Sequence, residues 1–129
     1  MAAQASVEAL RVLLVDDHDL FRTGLRNLLE EQDLQIVGEA SDGVQAVELV
    51  GELAPDVVVM DLNMPALSGV EATRQITSLS PLTRVIVLTI SDQDSDVMDA
   101  ILAGACGYLM KDASIQDVVT GIRAAARGE

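Results

Sequence analysis

The run Val57-Val58-Val59-Met60 is apolar at every position and ends in a carboxylate, Asp61, before breaking into Leu62-Asn63-Met64-Pro65. A continuous, mostly β-branched run of this length is the pattern of a strand covered on both faces, as inside a parallel sheet. A charge at the tip of such a strand, followed by a turn, stands where open α/β sheets place their ligands. Arg11-Val12-Leu13-Leu14-Val15 and Arg84-Val85-Ile86-Val87-Leu88 repeat the pattern and end in Asp16-Asp17 and in Thr89-Ile90-Ser91.

Between these runs the period changes from strand to helix. Leu20, Phe21, Leu25, Leu28 and Leu29 predict an amphipathic helix over His18 to Glu31, and Gln35 to Ala40 alternates like an edge strand. Asp42 with Gln45, and Ser68 with Glu71, have the spacing of capping boxes. The helices they start are expected to bury Val44, Val47 and Val50, and Val70, Thr73, Ile76 and Leu79, with Pro55 and Pro81 as stops. A further helix has Asp92, Asp94 and Asp96 at its start, an apolar stripe of Val97, Ile101 and Leu102, and Gly104 at its C-terminal cap. Cys106 to Met110 reads as a fifth strand. Ser114 then caps a last helix striped by Ile115, Val118, Val119 and Ile122. Residues 1–10 carry little pattern and read as a loose start, and 11–127 form one domain. Five alternating strand and helix units imply an α/β fold with a parallel sheet. Right-handed crossovers that cover both faces fit the doubly wound, flavodoxin-like order 2-1-3-4-5.

Half of the 129 residues are apolar, enough for one core, and the net charge of −13 argues against this segment gripping nucleic acid or anionic lipid itself. The single cysteine, Cys106, reads as a small buried residue. It permits no internal disulfide and suits a reducing, cytoplasmic location. No run is long enough for a membrane span. Met60, Met64, Met98 and Met110 read as core or near-core fillers.

In a parallel sheet the C-terminal ends of all strands share one edge. That edge would carry Asp16, Asp17, Asp61, Thr89 and Lys111. Alone, any of these is a cap, a turn former or a solvated lysine; together they form a crevice of three carboxylates, one hydroxyl and one ammonium. Crowded carboxylates repel, and a hard divalent cation resolves the conflict. Mg²⁺ suits it, being held typically by one or two carboxylates plus phosphate oxygens. Such a cation, with Lys111 and Thr89, would stabilise the oxygens of an incoming phosphoryl group. His18 beside the pair reads as an exposed helix-start residue outside the ligand set.

This set, in this order, resembles the receiver domain of bacterial two-component response regulators over about Arg11 to Ala126. Val-Asp-Asp-His at 15–18, Gly-Tyr-Leu-Met-Lys-Asp at 107–112 and the ending Ala-Ala-Ala-Arg-Gly-Glu are similar to the NarL-type subfamily. The resemblance implies that Asp61 accepts a phosphoryl group from the phosphohistidine of a sensor histidine kinase. It implies Mg²⁺ on Asp17 and Asp61, with Asp16 acting through water and Asn63 through its carbonyl. It further implies Thr89 and Lys111 on phosphoryl oxygens, and Tyr108 as a switch partner of Thr89. The expected output is a changed surface around the fourth helix, fifth strand and fifth helix, with homodimerisation on phosphorylation. DNA would be contacted by a helix-turn-helix domain beyond Gly128-Glu129 and not by this domain. The domain would dephosphorylate slowly and not turn over as an enzyme. Asp112 stands where many receivers have Pro, so no cis bond is expected after Lys111. Ile90 stands where many have a small residue, which predicts slow loss of the phosphoryl group. Two other readings compete. A haloacid-dehalogenase-like phosphatase would want a general-acid Asp where Asn63 stands. A degenerate, phosphorylation-independent receiver would not need the intact set.

Overall fold

The computed structural model describes residues 9–62, 64, 67–90 and 95–128. The expected loose start over 1–8, Asn63, Pro65, Asp92 and Asp94 lie outside the described residues. The elements run β1 (Arg11–Val15), α1 (Asp19–Glu30), β2 (Gln35–Ala40), α2 (Gly43–Leu53), β3 (Val57–Asp61), α3 (Gly69–Leu79), β4 (Arg84–Thr89), α4 (Ser95–Leu102), β5 (Gly107–Met110) and α5 (Ile115–Ala126). All sheet pairs are parallel, in the order β2-β1-β3-β4-β5. This is the doubly wound, flavodoxin-like arrangement the apolar runs predict.

The sheet sorts its side chains by period two. Leu13, Val15, Val58, Met60, Val85 and Val87 face a core layer shared with α2, α3 and α4. Val12, Leu14, Val57, Val59, Ile86 and Leu88 face the opposite layer, with Leu29 of α1 and Val118, Val119 and Ile122 of α5. Three caps form as their spacing requires: Asp42 accepts from the Gln45 N–H, Ser68 from Glu71 and Ser114 from Asp117. Gly104 takes φ +119° after α4. The Ala105 N–H then bonds the Ala100 carbonyl and the Gly104 N–H the Ile101 carbonyl, both at 3.0 Å. That pair of bonds is the Schellman closure of a helix end.

Several helix-face expectations fail in one direction. Val44, Leu79, Met98, Ile101 and Leu102 are exposed, while Ala46, Ala72, Ala100 and Ala103 are buried in their helices' inner faces or at their ends. Small residues let these helices approach the sheet and one another closely, and the bulkier apolar residues are turned out. Cys106, expected inside, is exposed at the entry to β5. Every peptide bond of the described residues is trans, including the one after Lys111.

Candidate functional site

Register brings the site together. Val15 is paired with Met60 and Thr89 with Met110. The next residues, Asp16 with Asp61 and then Lys111, therefore emerge side by side at one sheet edge. The Lys111 N–H donates to the Thr89 carbonyl at 2.8 Å, continuing the ladder one step past β5.

Asp61 is 2% exposed and Asp16 4%, so both carboxylates lie below the surface at the mouth of the sheet. The Lys111 ammonium answers them from 3.0 Å at Asp16 Oδ2 and 3.4 Å at Asp61 Oδ2. It also stands 4.9 Å from the centroid of the Phe21 ring, within cation–π range. Asp17 is exposed at the rim. Ligand atoms of Asp16, Asp17, His18 and Asp61 all lie within 4.8 Å of one another. Three carboxylates, two of them buried, against one ammonium leave an excess of negative charge in a setting rich in oxygen donors. That donor chemistry fits a hard divalent cation, and the cluster can hold one.

The acidic loop is fixed from several directions. Asp16 Oδ1 accepts the His18 main-chain N–H at 2.8 Å, and the Asp16 N–H donates to the Ala40 carbonyl at 3.0 Å. His18 is the N-cap of α1, mostly exposed, with Nδ1 at 3.3 Å from Asp16 and 3.4 Å from Asp17. Arg22 Nη1 donates to the Asp16 carbonyl, Nε to Glu39 at 2.7 Å and Nη2 to Asp19 at 2.8 Å. Arg26 also donates to Glu39. Burial alone would raise the Glu39 carboxyl, but the hydrogen bonds from Arg22 and Arg26 outweigh it and hold the group below its ordinary value.

Of the residues singled out from sequence, Asp16, Asp17, Asp61 and Lys111 converge. Thr89 is buried at the end of β4, beside them in register. Tyr108 pairs in register with Val87 and is 43% exposed. Asn63 lies outside the described residues. Sequence reasoning missed Phe21 beneath Lys111 and the Arg22–Glu39 link. Phe21 reads as one more residue of an apolar stripe, and Arg22 and Glu39 are too far apart in the chain to suggest contact.

Residues 12–123 match the family described as the response regulator receiver domain. The chain is 46% identical to the transcriptional regulatory protein LiaR of Bacillus subtilis (strain 168), over 93% of this chain and 57% of that protein. It is 40% identical to the nitrate/nitrite response regulator protein NarL of Escherichia coli (strain K12), over 95% of this chain and 57% of the relative. Among solved structures, a LuxR-family two-component response regulator from Aurantimonas superposes with a TM-score of 0.88 at 37% identity, over 94% of this chain and 87% of the other. The response regulator domain of Thermotoga maritima CheB gives 0.85 at 34% identity, over 92% and 97%. The chain thus spans 57% of the length of these two curated relatives.

Proposed function

The chain belongs to the response regulator receiver domains, of NarL type, with their phosphoacceptor role in two-component signalling, and on that premise we propose that Asp61 is the acceptor. The observation that carries this is the burial of Asp61 at the tip of the central strand, 3.4 Å from Lys111 and within a cluster of further carboxylates. An Asp61 oxygen attacks the phosphorus of a phosphohistidine on a sensor histidine kinase. The P–N bond breaks, the imidazole leaves, and an acyl phosphate forms. Lys111 and Thr89 hold the phosphoryl oxygens, Lys111 with the positive charge that a loose transition state requires. Asp16, Asp17, Asp61 and the Asn63 carbonyl would hold Mg²⁺, which when bound supplies charge neutralisation for the incoming phosphoryl group.

The rest of the reading concerns output. Phosphoryl transfer shifts Thr89, Tyr108 follows, and the surface of α4, β5 and α5 changes. Met98, Leu102 and Tyr108, all exposed, give that surface apolar area to bury, which supports homodimerisation on phosphorylation. Residues 11–127 act as the receiver unit of a cytoplasmic transcription factor. DNA contact would be left to a further domain, in keeping with relatives named as transcriptional regulators and matched over 57% of their length. The domain is not a turnover enzyme.

Intact-protein mass spectrometry after incubation with acetyl phosphate and Mg²⁺ tests the core of this. One added phosphoryl group, absent in Asp61→Asn, is expected. Sustained turnover of general phosphoesters would replace the reading with a phosphatase, and no adduct with a phosphorylation-independent module. Sedimentation with and without acetyl phosphate tests dimerisation.

A further inference from the structure

Arg22 joins three parts of the fold that meet beneath the acidic cluster. Its guanidinium is held by Glu39 of the edge strand β2 at 2.7 Å and by Asp19 of its own helix at 2.8 Å, while Nη1 donates to the main-chain carbonyl of Asp16. Glu39 is clamped a second time by Arg26. The side chains are largely buried, Arg22 at 14% exposed and Glu39 at 24%. The geometry gives this contact a specific consequence. The Asp16 carbonyl belongs to the planar peptide unit that joins Asp16 to Asp17, so a donor fixed on that oxygen sets the orientation of the whole unit. It thereby fixes the direction in which both carboxylates leave the chain.

We propose that Arg22, anchored by Glu39, is a positioning residue for the cation site, holding the Asp16–Asp17 peptide so that both side chains stay turned toward Asp61. This rests on the reading that Asp16, Asp17 and Asp61 bind a divalent cation. Outer partners that orient metal ligands are worth about 10- to 100-fold in metal affinity. The described contact from Arg22 to the cluster is to the Asp16 main chain, and its planar fork spans Glu39 and that carbonyl together, a reach that a lysine ammonium lacks.

Sign separates positioning from simple electrostatics. Removing a positive charge from beside a cation site should tighten cation binding, whereas removing a strut should weaken it. Mg²⁺ binding is measured by isothermal titration calorimetry on the whole chain, with thermal unfolding recorded in parallel. Arg22→Gln is expected to weaken Mg²⁺ binding by about 10- to 100-fold despite the lost charge, and Arg22→Lys to weaken it despite the retained charge. Thr83→Ala is the stability control. Thr83 is buried at the opposite end of the sheet and donates to the Pro55 carbonyl at 3.0 Å, so its loss should lower Tm and leave Mg²⁺ affinity unchanged. Wild-type or tighter Mg²⁺ binding in both Arg22→Lys and Arg22→Gln would overturn the proposal. So would equal weakening in Thr83→Ala. If Arg22→Gln does not fold, Arg22→Lys alone decides. Asp17→Asn tests the underlying reading separately: retention of wild-type affinity there removes the cation site itself, whereas its loss beside intact Arg22 variants removes only the strut.

Discussion

Gly69→Ala adds one methyl at the start of α3, against the backbone at the end of β3. A Cβ at Gly69 would stand 2.4 Å from the Asp61 carbonyl oxygen and 2.6 Å from Leu62 Cα. Both are main-chain atoms that no rotamer change can clear, so the start of α3 and the Asp61–Leu62 backbone must move apart by about 1 Å to reach ordinary contact. Overpacking of this kind costs about 1–3 kcal/mol. The shift also endangers the Ser68 cap, whose Oγ sits 3.2 Å from the Glu71 N–H and whose loss costs about 1 kcal/mol. Against this stands the helix propensity of alanine over glycine, at most about 1 kcal/mol. The net expectation is destabilisation of about 2 kcal/mol, seen as a fall in Tm of about 8 °C for a domain of this size. In urea the midpoint should fall with the slope unchanged. Because the displaced atoms include the Asp61 main chain, labelling by acetyl phosphate should slow as well, and misplacement by about 1 Å can cost up to 10²-fold. A variant with wild-type midpoint and wild-type labelling rate would refute the close-contact reasoning.

Ala54 ends α2 at φ 47°, a left-handed conformation that glycine adopts without strain, so Ala54→Gly should raise stability by about 0.5–1 kcal/mol in urea titrations. Because Glu39 is held below its ordinary value near 4.5, its contribution is present above that value and lost as pH falls through the folded value. Glu39→Gln should therefore flatten the acid limb of a Tm-against-pH curve, and an unaltered limb would count against the clamp. Ile90 is 71% exposed beside Thr89, so Ile90→Ala should leave Tm nearly unchanged and shorten the phosphoryl half-life; an equal half-life sinks the gating idea. Asp17→Asn should raise the Tm of the metal-free chain by relieving repulsion and abolish any further rise on adding Mg²⁺.

The topology and the Asp16, Asp17, Asp61 and Lys111 set were legible in sequence for the same reason. Continuous apolar runs such as Val57 to Met60 leave no choice of face, so strand ends are sharp and the residues after them fall on one edge. Helix faces were less legible because hydrophobicity does not report how near two elements come. At α4 the inner positions go to Ala100 and Ala103, and the larger Ile101 and Leu102 face outward. A stripe drawn by hydrophobicity alone selects the wrong pair. The Arg22–Glu39 link was hidden differently. Its partners lie 17 residues apart, on a helix and an edge strand whose relative rotation no local pattern specifies. Each side chain reads alone as one more solvated charge.

The cluster works against the fold that carries it. Asp16 and Asp61 are buried against a single shared ammonium, and Asp17 adds a third negative charge at the rim. Buried carboxylates in excess of their counter-charges cost stability, and a chain selected for stability alone would replace one of them. The same repulsion makes the cluster sensitive to any charge added to it. A bound cation would relieve it, and a phosphoryl group on Asp61 would redraw the charge that Lys111 answers. Arg22 and Phe21 then have complementary parts. One bonds the main chain of the acidic loop, and the ring of the other lies 4.9 Å from the ammonium of the only lysine in the chain, so that the charges stay crowded rather than relaxing apart. A switch built this way needs no long-range wire at its origin. A change of charge on one oxygen alters the balance among groups already held within 4.8 Å.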